Sequence, residues 1–285
     1  MSIAFALLAA LSNAVNVATQ HVASTSDPNH SRGWQLVWYL FKNPLWLIGW
    51  LALIGAFVFQ AVALHNGQIS IVQPLLITEL VFSLILRKVW IRQEISAAAW
   101  ISAAFTCLSV AVFIGAAEPH GGVGLPSSGA WITSVVGCGV VAGVLALLSL
   151  TGPPGRRAAL LATASATVWA IEAAFIKSMT DTLTQYGLFG SFSHWPIYAV
   201  AIGGVFGVLL QQAALHVGPL RMSQPFLVIV DPLISIVLSV YLFGERFTQG
   251  AGDLALAVIA FVALATGVIF MTRTVPETIV SDQPR

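Results

Sequence analysis

Apolar residues run along this chain in long blocks, and nine of the blocks can cross about 30 Å of hydrocarbon as helices. They extend approximately from Ser2 to His21, Pro44 to Leu64, Ser70 to Trp90, Ser96 to Ala117, Ser128 to Leu150, Ala158 to Thr180, Trp195 to Leu215, Leu220 to Phe243 and Gly250 to Met271. The stretch from Gly33 to Phe41 is apolar but too short to span. It carries Trp34, Trp38 and Tyr39 and reads as an interfacial helix. The loop Thr151 to Arg157 is the sharpest break, since Pro153, Pro154 and two glycines end the fifth block there.

The blocks repeat. At an offset of 151 residues, Gln60, Ala63, Leu64, His65, Gly67, Gln73, Pro74 and Leu76 meet Gln211, Ala214, Leu215, His216, Gly218, Gln224, Pro225 and Leu227. Eight identities fall in 17 positions, where chance gives roughly one or two. The same offset carries Glu94 onto Glu245. Spans two to four thus match spans seven to nine, span one pairs with span six, and span five is a connector. A step of five spans is odd, so the second copy is expected upside down in the membrane, as in secondary transporters. The expected fold is an all-α integral membrane protein of about nine helices in two inverted repeats. Residues 1–117 form the first repeat, 128–150 the connector, 156–272 the second repeat and 273–285 a cytoplasmic tail.

Composition agrees. Of the 285 residues, 58% are hydrophobic and 8% charged, against about 25% charged in soluble domains. The net charge of +1 argues neither for nor against a nucleic-acid partner, and none is expected. Basic residues add a direction. Arg32, Lys42, Arg87, Lys88, Arg92, Arg156, Arg157, Arg221, Arg273 and Arg285 fall on one side of the nine-span layout, and Lys177 and Arg246 on the other. This ten-to-two bias puts the N-terminus outside and the C-terminus in the cytoplasm, in a plasma or bacterial inner membrane. No Lys or Arg precedes Arg32, so the first block reads as a retained helix and not a signal peptide. Cys107 and Cys138 lie in apolar runs and read as buried thiols. There is no nucleotide-binding loop, no Ser-His-Asp set and no HExxH motif. No enzyme activity and no cofactor are expected.

With a Gln-Pro near the start of a span in each half, and Gly244-Glu245-Arg246 and Gln93-Glu94-Ile95 before the last span of each, the chain resembles the drug/metabolite transporter superfamily, including its EamA-like members. That resemblance implies ten helices with both ends cytoplasmic. This chain fits the plan without its first helix, and its nine-span layout is similar to the NIPA-like branch, some members of which are assigned magnesium transport. The resemblance also makes Glu94 and Glu245 look functional.

Acids inside a bilayer cost at least ~2.5–3.5 kcal/mol each and mark pathways. Glu172 lies near the middle of span six, Glu79 in span three and Asp231 in span eight. Glu79 maps to position 230, one residue from Asp231. Glu172 shares a helical face with Ser165 and Trp169, and span one carries the polar stripe Asn13, Asn16 and Gln20. Each acid is either a proton- or cation-binding carboxylate or a hydrogen-bonded group that fastens helices. Asp231 precedes Pro232, which frees the Val228 carbonyl. Gln60 and Gln211 lie inside spans two and seven and are placed to line a cavity, and Gln212 faces elsewhere. Pro74 and Pro225 read either as first-turn prolines or as starts of helices that begin within the membrane. Glu94 and Glu245 read as turn residues that cap the following helix. Lys177, His65 and His216 read as interfacial, and no metal ligand set is assigned. Gly139-xxx-Gly143 and Gly203-xxx-Gly207 permit close packing, within the chain or in a homodimer.

The expected function is secondary transport of a small polar or cationic solute by alternating access, driven by an ion gradient or by the solute's own. Glu172, Asp231 and Glu79 would serve with Asn13, Asn16, Gln60, Gln211 and Trp169. Two alternatives stand: magnesium transport through the three acids, and a non-transporting membrane subunit that binds partner proteins.

Overall fold

The computed structural model describes residues 1–25, 43–90, 92–122, 126–247 and 250–274. The expected interfacial helix at Gly33 to Phe41 and the tail from residue 275 lie outside the described residues. Along the described chain run α1 (Ser2–Thr25), α2 (Pro44–Asn66), α3 (Ile69–Leu76), α4 (Glu79–Val89), α5 (Ala97–Ala117), β1 (His120–Gly121), α6 (Ser128–Leu148), α7 (Pro154–Ser191), α8 (Trp195–Val217), α9 (Leu220–Phe243), β2 (Glu245–Arg246) and α10 (Ala251–Thr274). Among the described residues, nine segments are long and apolar enough to cross a membrane, with α3 and α4 together forming the third.

Local chemistry sets the helix ends. Asn43 caps α2 by accepting a hydrogen bond from the Leu45 amide at 2.9 Å, and Pro44 occupies the first turn, where its missing N–H leaves nothing unpaired. Ser96 and Ser127 cap α5 and α6 in the same manner, each accepting from an amide three residues on. α7 runs beyond the expected end at Thr180, as far as Gly187, whose φ of 70° breaks the helix. Its last turns are polar, so the apolar block alone did not mark them.

The third span is not one continuous helix. Pro74 and Pro225 are each the sixth residue of their helix, so neither is a first-turn proline. Pro74 removes the bond to the Ser70 carbonyl. Just beyond it Ile77 and Thr78 donate to the carbonyls of Pro74 and Leu75, three residues back, and the helix is interrupted before Glu79. Thr78 Oγ1 also donates to the Leu75 carbonyl at 2.6 Å.

The chain forms two compact units. The first holds the described residues of 1–67 and 74–95, and the second holds 68–73 and those from Ser96 onward. In the first unit α1 packs on α2 and α4. In the second α7 packs on α6, α8 and α9, and α10 packs on α5 and α9. The units therefore do not follow the two sequence copies: α5, the last span of the first copy, belongs to the second unit. The reason is its packing on α10. Phe113 meets Phe261 edge-on at 5.8 Å, Ala116 and Ala117 bury with Ala257 and Ala260, and Gly267 admits Thr106.

At one end of the second unit β1 and β2 pair antiparallel, His120 opposite Arg246 and Gly121 opposite Glu245. Trp131 sits among Trp195 at 4.8 Å, Phe175 at 5.6 Å and Phe243 at 6.2 Å. Elsewhere in this unit Arg157 Nε donates to the Ser149 carbonyl at 2.8 Å, tying the end of α6 to the start of α7.

The helices that carry the repeated segment match in backbone. α2 and α8 are both 23 residues long, with starts and ends each 151 residues apart. Gly67 and Gly218 follow them with nearly equal angles, φ −151° and −156°. Both glycines are needed for close approach to the first helix of their copy. A Cβ on Gly67 would lie 2.5 Å from Ser2 Cβ, and one on Gly218 would lie 2.6 Å from the Pro154 carbonyl and 2.8 Å from Ala158 Cβ. Ser2 and Ala158 correspond when Asn16 is set against Glu172.

Candidate functional site

Glu172 projects from α7 onto the glycine face of α8. Successive turns of α7 offer Ser165, Trp169 and Glu172, and α8 answers with Gly207, Gln211 and Gly203. Ser165 Oγ donates to the Gly207 carbonyl at 3.0 Å, and the Trp169 indole N–H donates to Gln211 Oε1 at 3.0 Å. A Cβ on Gly207 would press within 2.9 Å of the Trp169 ring, and one on Gly203 would collide with Glu172 Oε2. The Gly203-xxx-Gly207 motif thus serves packing inside the chain. By contrast, Cβ atoms built on Gly139 and Gly143 of α6 would meet nothing within 4 Å.

Glu172 is only 3% exposed, and its Oε2 has no hydrogen-bond partner among the described residues. A buried acid oxygen left without a donor is costly. Gly203 and Gly204 give it room but no hydrogen bond. This is the one acid among the three expected in the membrane whose side chain accepts none from a described residue.

The other two are partnered. Glu79, at the start of α4, accepts from Asn13 Nδ2 at 2.7 Å. Asp231 accepts from Ser235 Oγ at 3.1 Å, one turn on and beyond Pro232. Asn16 turns to its own helix, where its Oδ1 accepts from Gln20 Nε2 at 2.6 Å. Gln60 is half-buried, with no side-chain hydrogen bond among the described residues, so it does not share the pairing of its repeat mate Gln211. The structure therefore joins Asn13 to Glu79 in the first unit, and Trp169 to Gln211 beside Glu172 in the second.

The turn residues depart from expectation. Glu245 does not cap the helix that follows it. Its carboxylate accepts from the Ile69 amide at 2.8 Å, the Ser70 amide at 3.2 Å and Ser70 Oγ at 2.5 Å, at the start of α3. The β1–β2 pairing turns the side chain toward these donors, and α10 begins only at Ala251. Glu94 is exposed and caps no helix among the described residues. Lys177 places its Nζ 5.7 Å from the Phe243 ring centroid, within electrostatic reach of Glu245 and Asp181. His65 and His216 are exposed in the last turns of α2 and α8. Ser70 was not singled out from the sequence. A serine at a helix start signals a cap acceptor, whereas here its hydroxyl donates to a glutamate 175 residues away. Among the described residues no three His, Cys, Asp or Glu side chains form a metal cluster.

The chain is 24% identical to an uncharacterised protein of Corynebacterium glutamicum over 276 residues, covering 96% of this chain and 95% of that one. No protein-family model matches it, and no solved structure matches it.

Proposed function

We propose that the chain is a secondary transporter of a small polar or cationic solute, of the drug/metabolite transporter type, working by alternating access between inverted repeats. The observation that carries this reading is Glu172, an acid buried in a membrane-length helix with one oxygen unpartnered. Acids at such depth mark solute and ion paths, and a purely structural acid would be expected to have its donors. Glu172 is the group that binds the solute or exchanges a proton with it, and Asp231 beside Pro232 is a second such group.

The repeated backbone of α2 and α8 supports a two-copy carrier. Inversion is supported within the second unit, where α3 begins at the point where its repeat mate α9 ends, joined through Glu245. The basic-residue bias supports an external N-terminus.

The test is a thermal-shift screen of purified protein against amines, amino acids, nucleotide-linked metabolites and inorganic cations, followed by proteoliposome flux of any binder. A binder should stabilise the wild type, and Glu172→Gln should abolish both that stabilisation and the flux. Equal flux and equal pH dependence in Glu172→Gln would remove this acid from the mechanism. Stabilisation by magnesium alone would replace the proposal with magnesium transport.

A further inference from the structure

Glu94 and Glu245 hold the same place in the two sequence copies, and the structure treats them oppositely. Glu94 is exposed and accepts no hydrogen bond from a described residue. Glu245 is 1% exposed and accepts three, all from the first two residues of α3. The backbone amides at a helix start have no partner within the helix, and the helix dipole is positive there. A carboxylate answers both needs.

α3 depends on this contact more than a longer helix would. It has eight residues and is interrupted directly after Pro74 and Leu76. A helix this short does not persist without outside support. Residues 68–73 belong to the second unit, although they open a span of the first sequence copy. Gly67 precedes the segment and the interruption at Ile77 and Thr78 follows it, so its backbone has a joint on each side. Glu245 itself is held by the β1–β2 pairing, with Gly122 beside it, where an added Cβ would lie 3.5 Å from the Glu245 Cγ, and Lys177 is within electrostatic reach.

We propose that Glu245 is a releasable latch: its carboxylate pins the start of α3 at one membrane face, and breaking that contact opens this face during the transport cycle. The exposed Glu94 is the unlatched counterpart in the first copy. The purpose of the opening rests on the transporter reading, but the latch does not require it. Release exchanges three donors on a carboxylate for water, a modest net change for a contact remade in each cycle.

The experiment reads the opening without any solute. Val72 lies in the pinned segment and is fully buried. Full-length protein carrying Val72→Cys, with Cys107→Ser and Cys138→Ser to remove the other thiols, is labelled in lipid nanodiscs with a membrane-impermeant maleimide. Glu245→Ala should accelerate labelling by at least about tenfold, since a local opening then needs no broken charged cap. Ser70→Ala and Glu245→Gln, which leave most of the cap in place, should accelerate it less, and Glu94→Ala should leave it unchanged. Equal labelling in Glu245→Ala and its parent overturns the proposal. So does equal acceleration by Glu94→Ala, which would signal general loosening. Should Glu245→Ala fail to fold, the comparison of Ser70→Ala and Glu245→Gln with Glu94→Ala decides in the same way. Failure here would leave the solute screen untouched, and failure of that screen would leave the latch standing.

Discussion

Asn13 in the first unit and Trp169 in the second hold corresponding places when Asn16 is set against Glu172, yet Asn13 pairs with Glu79 and Trp169 with Gln211, which do not correspond. In the first unit an amide on α1 donates to an acid on α4. In the second, an indole on α7 donates to an amide on α8, and the acid one turn further on is left with an unpartnered oxygen. The backbone beneath is closely matched: α2 and α8 have equal lengths, and Gly67 and Gly218 press on corresponding residues of the preceding helix. A repeat can therefore keep its frame while its buried polar groups diverge. Helix length and close approach constrain every copy, but a hydrogen-bond pair needs only its own two partners.

The frame should be the easiest part to break. Gly218→Ala is expected to cost about 2–3 kcal/mol, because the new methyl meets backbone atoms of Pro154 that cannot turn away. Gly67→Ala should cost nearer ~1 kcal/mol: Ser2 Cβ, 2.5 Å from the new methyl, cannot rotate aside, but it lies in the first turn of α1, which can shift as a whole. Thermal unfolding in detergent, followed by tryptophan fluorescence, measures both. A larger loss in Gly67→Ala would reverse this account of the two contacts.

The polar pairs should rank next. Glu79→Leu leaves Asn13 Nδ2 without its acceptor and should destabilise by about 1–2 kcal/mol. Adding Asn13→Leu should restore part of the loss, so the double variant tests whether the two residues act as a pair. Gln211→Leu strands the Trp169 indole and should cost about 1 kcal/mol, whereas Gln60→Leu should fall within about 0.5 kcal/mol of wild type. Equal effects at 60 and 211 would mean that the second copy's pairing contributes nothing to stability.

The smallest loss of stability is expected at Glu172. Replacing a buried acid that has an unpartnered oxygen by Met removes a polar group and keeps its bulk, so Glu172→Met should be neutral or stabilising. The same change should abolish stabilisation by any solute found in the screen. A variant that unfolds earlier would show Glu172 to be a fastening residue and remove the contrast with Glu79.

Much of this was readable in advance. The nine apolar blocks became nine membrane-length segments among the described residues, with ends mostly within a few positions of expectation. The blocks expected to start at Pro44, Ser96 and Ser128 do begin helices there, and the structure adds the caps Asn43, Ser96 and Ser127, each acting through chemistry local to it. Ser165, Trp169 and Glu172 were legible as one face of a helix, since periodicity alone places them together. The interruption after Pro74 was not legible, because a proline near a block's start also suits a first turn, and the helix began earlier than the proline suggested.

Segment length and the offset of 151 residues follow from residue order, because hydrocarbon thickness and backbone hydrogen bonding act on each segment separately. Neighbours do not follow from it. That α5 packs on α10, that Glu245 reaches Ser70 and not the start of its own following helix, and that Glu172 faces a glycine in place of a donor all depend on which helices come side by side. Those contacts join residues from 31 to more than 150 positions apart, and no local rule of propensity or capping spans that distance.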